Sequence, residues 1–458
     1  MLETVKSAVF QFHSHARKFW NEHHVLEGVP FITVGLLAGS ICCLYALVFS
    51  AVEHQAFSLI ETNPEYFFLI SPVFLIISYL IVRWISPGSS GSGIPQVMIS
   101  IEKSHSHLAH KLLSKRVIIV KIVSSLAAIF AGAGIGREGP SLQIAAAVSH
   151  MLEKMFRKLK IKVRSDQLII AGAASGLAAA FNTPIGGIVY AVEELTQEHV
   201  RSFKDVLLLS VVISGITAQA IMGNYLFLGY PVIQNQITAT LILVVCCTAI
   251  LTGLIGAFFS KCLIWLMKWR ASKRFTSQIL IAVGVGLMIA LCINFLGLRS
   301  VFSGKETIHH VLYTTGDVSY WEGLTRFLVP LFSSMLGIAG GIFAPALSAG
   351  SAVGGYLSQF FDPSYRTLLA LTGMIGFLTG VTRTPITAFI LVLEMTDRHS
   401  AIFPMMLASV FASLGAYLLG DKSYYEETVA VIKESYNQPM LESSGPSAEP
   451  GLKEGFEK

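Results

Sequence analysis

Two kinds of apolar segment alternate along the chain. Some are long and unbroken, such as "VPFITVGLLAGSICCLYALVFSAV" (29–52) and "TATLILVVCCTAILTGLIGAFF" (238–259). Each reaches the roughly 20 residues of helix needed to cross about 30 Å of hydrocarbon. Others are short and cut by glycine and proline: "GSGIPQVMISI", "GPSLQIAAAVSHML", "FNTPIGGIVYAVEEL", "GGIFAPALSAGSAVGGYL" and "TRTPITAFILVLEMT". Helices this short stop inside the bilayer, which is tolerated only where the exposed backbone lies in protein or against an aqueous cavity. The pattern predicts an all-α polytopic membrane protein with partly re-entrant helices.

Two of the short pieces match each other. "NTPIGGIVYAVEEL" from Asn182 aligns with "RTPITAFILVLEMT" from Arg383, pairing Thr183 with Thr384, Pro184 with Pro385 and Glu193 with Glu394. Upstream, "GREGP" from Gly136 aligns with "GIFAP" from Gly341 at nearly the same spacing. The chain therefore reads as a duplication. Residues 1–28 form an N-terminal amphipathic, interfacial segment, 29–223 a first membrane repeat, 224–236 a linker, and 237–425 a second repeat. Residues 426–458 are a polar, largely disordered tail. Glycine- and proline-broken segments at corresponding places in two halves point to a binding site near the midplane. Whether the halves are inverted depends on the parity of spans between them, which the pattern leaves open.

Composition agrees with this. The chain is 53% hydrophobic and 13% charged, with a mean hydropathy of +0.64, against about 25% charged residues in soluble domains. The N-terminal stretch lacks the apolar core and cleavage site of a removed signal, and places Val5, Val9, Phe12 and Phe19 among Lys and His, as an interfacial helix does. The six cysteines lie in or beside apolar runs without CxxC spacing, so neither disulfide nor metal is expected. A net charge of +5 gives no case for nucleic acid. The tail, rich in Glu, Ser, Pro and Gly, is expected to carry no folded regulatory domain.

Against this background "GIGREGP" (134–140) stands out, because a full Arg–Glu pair interrupts membrane-type sequence. It contains a formal G-x-G-x-x-G, but that nucleotide fingerprint requires a strand before it and a βαβ unit around it. Here a membrane helix precedes it. Pro140 instead suits the first turn of a helix starting near Gly139, whose unpaired amides and positive dipole end attract an anion. The same grammar recurs in "GSGIP" (91–95), "GGIFAP" (340–345) and "NTPIGG" (182–187). Several such ends converging would build an anion cradle from backbone alone. Glu138 then has a specific place: a midplane carboxylate costs about 2.5–3.5 kcal/mol on insertion scales, less if it sits in that cradle as a tethered ligand. Pairing with Arg137 is the plainer alternative. Glu193 and its counterpart Glu394 read as architectural, holding helix ends. Glu194 has no acidic counterpart, since Met395 takes its place, and suits an asymmetric task such as delivering protons.

"GSGIPQ", "GREGP" and "GGIFAP", with "FNTPIGGIVYAVEE" and "RTPITAFILVLEMT" in the same order, closely resemble the CLC chloride channel and transporter family over about residues 29–430. The resemblance is strongest to bacterial members without CBS domains. It implies two inverted halves of tilted, partly re-entrant helices and a homodimer with an ion path in each subunit. It makes Ser92, flanked by Gly91 and Gly93, the serine that holds chloride. Ile342 and Phe343, after Gly341, become the residues whose backbone amides bind the same ion. Glu138, beside Arg137, becomes the outer gating glutamate, Glu194 the inner proton-passing glutamate, and Lys121 a lysine whose charge biases Glu138. The site tyrosine falls in "GDKSYYEET": counting from Gly420 points to Tyr425, with Tyr424 its adjacent alternative.

The expected function is exchange of chloride for protons across a membrane, a bacterial inner membrane by the resemblance. Chloride and protons are the transported ions, lipid and a second copy of the chain the partners, and no cofactor, metal, nucleotide or nucleic acid is involved. Three alternatives stand beside it. One is a passive chloride channel on the same fold, against which Glu194 argues. Another is a fluoride/proton antiporter of the same family, which Ser92 disfavours. The third is a membrane enzyme using Glu138 and nearby histidines. His105, His107, His110, His309 and His310 lie in polar stretches without the ligand spacing of H-E-x-x-H.

Overall fold

The computed structural model describes residues 24–196, 204–223, 226–233, 238–397 and 399–437. Most of the interfacial segment expected over 1–28 and part of the linker expected over 224–236 lie outside them.

The first half runs α1 (His24–Thr62), α2 (Phe67–Ile85), α3 (Ile94–Glu102), α4 (His107–Leu112), α5 (Lys115–Phe130), α6 (Glu138–Lys158), α7 (Ser165–Phe181), α8 (Pro184–Tyr190) and α9 (Lys204–Met222). The second runs α10 (Ala239–Ala271), α11 (Phe275–Leu296), α12 (Lys305–Tyr313), α13 (Tyr320–Met335), α14 (Phe343–Ser358), α15 (Arg366–Thr382), α16 (Pro385–Thr396) and α17 (Ile402–Tyr417), followed by α18 (Tyr424–Asn437). Among the described residues there are no strands, only isolated bridges between loops. Among the described residues four segments are long and apolar enough to span a bilayer: Gly28–Thr62, Pro64–Ile85, Ala239–Ala271 and Phe275–Leu296. They open each half in pairs, and the shorter helices follow.

The duplication is visible in backbone detail. Helices α7 and α15 both end at a residue in the left-handed region, Asn182 (φ 56°) and Arg383 (φ 60°). Each is followed by Thr-Pro, which starts the next helix. The polar segment expected from residue 426 is corrected in its first part. Residues 424–437 form α18, because Tyr424 and Tyr425 are buried and anchor it in the core.

Helices pack by close approach of small residues, the usual route where lipid removes the hydrophobic drive between helices. A Cβ on Gly350 of α14 would lie 2.2 Å from the Gly373 carbonyl of α15. That closeness brings the start of α14, and the loop before it, into the centre of the protein.

Reciprocal capping fixes how the halves face each other. Glu193 accepts the Ile386 and Thr387 amides at 3.1 and 2.7 Å, and the Thr387 hydroxyl at 2.6 Å. Glu394 accepts the Ile185 and Gly186 amides at 3.1 and 2.8 Å. Each carboxylate lies near the end of one helix and satisfies the start of the other. The two helices must therefore run antiparallel, so the halves are inverted. The architectural reading of Glu193 and Glu394 is met.

Candidate ion-binding site

Three of the broken loops are laced together by backbone hydrogen bonds. Gly91 N–H donates to the Ile338 carbonyl at 3.0 Å, and Gly340 N–H donates back to Gly91 at 3.1 Å. Gly136 and Gly341 exchange a pair of bonds at 2.8 and 2.7 Å. The starts of α3, α6 and α14 are thus held at one junction. Ser92 packs on Gly139, where an added Cβ would lie 2.8 Å from the Ser92 carbonyl oxygen and 2.9 Å from its Cβ. Gly91 (φ 65°) and Gly93 (φ 93°) supply the left-handed turns that carry the chain through the break.

The fourth loop is a correction. "NTPIGG" does not join the junction, because the amides at the start of α8 are already taken by Glu394. A helix end holding a fixed carboxylate has no amides left for a mobile anion.

Glu138 is the first residue of α6 and is 1% exposed. Its side chain folds back over Gly136: a Cβ there would meet Oε2 at 2.1 Å and the Ala344 Cβ at 3.2 Å. The carboxylate thus lies against the first turn of α14, beside the Ala344 amide, and Oε2 has no partner. Arg137 turns the other way, donating to the Ala46 carbonyl at 2.9 Å and to Ser50 Oγ at 2.6 Å. The Arg137–Glu138 pairing considered as the plainer alternative is absent. Lys121, fully buried, donates to the Gly91 carbonyl at 2.9 Å rather than to Glu138. It braces the Ser92 loop through that bond.

Ile342 and Phe343 stand at the start of α14, Ile342 as the capping residue. The Tyr425 ring stacks on Phe343 with centroids 6.3 Å apart, and its buried hydroxyl has no partner. Tyr424 instead directs its hydroxyl to Met267 Sδ at 3.7 Å. Tyr424 also lines a 280 Å³ cavity with Ser90, Ser92, Gln96, Lys111 and Tyr436, which leads to the Ser92 loop.

Glu194 lies in a π turn, Ala191–Leu195, that follows α8. It is 8% exposed and its Oε1 has no partner. Such turns insert a residue into the helix and shift the side chains beyond it. Here Glu193 reaches α16 while Glu194 is left inside. One residue escapes sequence reading. Tyr190, fully buried four positions before Glu194, sets its ring 5.7 Å from Phe343 and leaves its hydroxyl unpartnered. The signal available was a tyrosine within an otherwise aliphatic helix, which also describes an ordinary core residue.

A profile of the family described as voltage gated chloride channel matches residues 73–416. The chain belongs to this family. It is 28% identical over 440 residues to the H(+)/Cl(-) exchange transporter ClcA of Salmonella arizonae, covering 91% of each chain. It is 29% identical over 418 residues to that of Klebsiella pneumoniae, covering 86% of each. Among solved structures, a slow cyanobacterial Cl-/H+ antiporter superposes with a TM-score of 0.79 at 24% identity, covering 90% of this chain and 99% of that one. A CLC-type fluoride/proton antiporter superposes at 0.73 and 20% identity, covering 87% and 96%. The fold expected from the motifs is therefore met. The protein is an integral membrane protein of a transport family, not an enzyme.

Proposed function

We propose that the protein exchanges chloride for protons across a membrane, with Glu138 and chloride competing for one place. The observation that carries this reading is the buried Glu138 carboxylate, one oxygen of it without a partner, lying against the first turn of α14 where the starts of α3, α6 and α14 meet. Chloride is held by the Ser92 hydroxyl, the Tyr425 hydroxyl and the amides of Ile342 and Phe343. Helix starts favour an anion and, in a dry site, do so without competition from water. When Glu138 takes up a proton it loses its attraction to those amides and leaves. An anion that moves in then prevents its return until the proton is released.

Protons arrive from the other side through Glu194, whose unpartnered oxygen faces the protein interior. Tyr190 and Tyr425, whose rings both pack on Phe343 and whose buried hydroxyls have no partner, are the polar groups offered to a proton on its way from Glu194 to Glu138. Gly91, Gly93 and Gly341 allow the close loop approaches, Arg137 anchors the start of α6 to α1, and Lys121 backs the Ser92 loop. The resemblance that supplied these roles also implies a homodimer in a bacterial inner membrane, and the exchange activity for which the Salmonella and Klebsiella relatives are named agrees with the coupling.

The test is chloride-driven proton uptake into liposomes holding only this protein. Uptake against the proton gradient, driven by an imposed chloride gradient, is expected. Chloride flux with a reversal potential indifferent to pH would instead make the protein a passive channel.

A further inference from the structure

We propose that Glu53 is a tethered anion filling a second cradle, the counterpart in the repeat of the one at Ser92, so that the duplicated fold leaves one such loop open to a mobile ion. This rests on the assignment of Ser92 to the anion site.

Phe302-Ser303-Gly304 in the second half repeats Gly91-Ser92-Gly93 in the first. The flanking residues adopt the same left-handed angles, 65° and 93° for Gly91 and Gly93, 63° and 92° for Phe302 and Gly304. A phenylalanine at positive φ is costly, so the turn is held from outside. Arg326 holds it, fully buried, with Nη1 on the Phe302 carbonyl at 3.0 Å. Lys121 makes the equivalent contact to Gly91 at 2.9 Å. A helix starts directly after each loop, α3 and α12.

The two loops differ in what they hold. Ser303 donates both its N–H, at 3.2 Å, and its hydroxyl, at 2.7 Å, to Oε1 of Glu53 on α1. The Ser92 hydroxyl oxygen accepts the Ile94 N–H at 3.3 Å, and among the described residues no side chain takes its hydrogen. The cations differ in the same way. Arg326 spends its N–H groups on Thr307 and on neutral carbonyls of Arg299, Val301 and Phe302. Of its acidic neighbours, Glu53 acts on it most strongly. A buried cation without a counter-ion is strongly destabilising, and Glu53, 8% exposed, supplies one. Lys121, which donates to the Gly91 carbonyl, has no acidic neighbour among the described residues acting on it in that way. Glu53 follows Ser50 by one helical turn, and Ser50 holds Arg137 beside Glu138. The filled cradle therefore lies on the Glu138 side of the junction.

Removing the carboxylate leaves the Ser303 N–H and hydroxyl beside Arg326 with no anion, and a halide takes its place. The test is bromide soaked into crystals of the full-length protein and located by anomalous scattering. Wild type is expected to show no bromide at Ser303. Glu53→Ala gains one within hydrogen-bonding distance of Ser303, and Glu53→Ala with Ser303→Ala loses it again. No bromide at Ser303 in Glu53→Ala, or bromide there already in wild type, overturns the proposal. Bromide at Ser303 with the Ser92 loop empty supports it while removing the transport reading, so the two fail separately. Should Glu53→Ala not fold, Glu53→Ser is followed in solution. Its Tm is expected to rise by several degrees more than that of wild type over the same bromide titration, and equal rises refute the proposal.

Discussion

Glu193 and Glu394 occupy the same place in the two halves and do the same thing, each closing the start of the other's helix. One position further on, the halves part company. Glu194 is a buried acid within a π turn, whereas Met395 is a buried thioether in a helix that stays α to Thr396. The same contrast separates Glu138 from Phe343 at the starts of α6 and α14, and Ser92 from Ser303 in the loops before α3 and α12. Duplication supplies the scaffold, which needs both halves alike so that caps and loops fit across the interface. The chemistry lies where they differ, because a coupled cycle needs an acid on one side of an anion and an anion site that is not already filled.

That comparison can be broken at graded cost. Glu138→Ala removes the competitor altogether. Chloride-driven proton uptake is expected to fall to background, at least about 100-fold, while chloride efflux continues; the contribution of a positioned proton carrier is of that order. Uptake that persists would detach Glu138 from the coupling. Glu194→Met makes the two halves alike at this position. Proton uptake should drop by about tenfold or more with chloride flux retained, and unchanged coupling would return Glu194 to an architectural place.

Glu394→Gln sharpens the comparison from its symmetric side. It weakens the cap on α8, so thermal stability in detergent should fall by about 1–2 kcal/mol, the range for losing a charge-assisted hydrogen bond. The ratio of chloride to protons should stay the same. A changed ratio would show that the symmetric pair takes part in transport. Tyr190→Phe carries the smallest effect: proton uptake slows by a few-fold while chloride flux and stability hold, as expected for loss of one buried hydroxyl near Glu194. Equal slowing of both ions would place Tyr190 in packing alone.

Much of this was legible in residue order, because the constraints are local. An apolar run of bilayer length, a proline that can only begin a helix and a glycine that can turn left-handed act through near neighbours in the chain. They gave the membrane class, the breaks, the repeat and the acids at 138 and 194. The distinction between Tyr424 and Tyr425 was not legible, since adjacent residues of one type differ only in which way a helix turns them. Nor was the withdrawal of "NTPIGG" from the junction. Its sequence has the same grammar as the other breaks, and the carboxylate that satisfies it lies about 200 residues away.

Sequence by itself determined that anion-favouring helix starts exist and that two acids accompany them, since helix polarity and the position of proline follow from backbone covalent geometry. Tertiary structure alone decided which starts meet, which are already closed by a carboxylate from the other half, and that Glu53 reaches Ser303 and Tyr190 packs on Phe343. Those outcomes depend on inverted packing, and the distances it sets between remote residues are written in no single stretch of the chain.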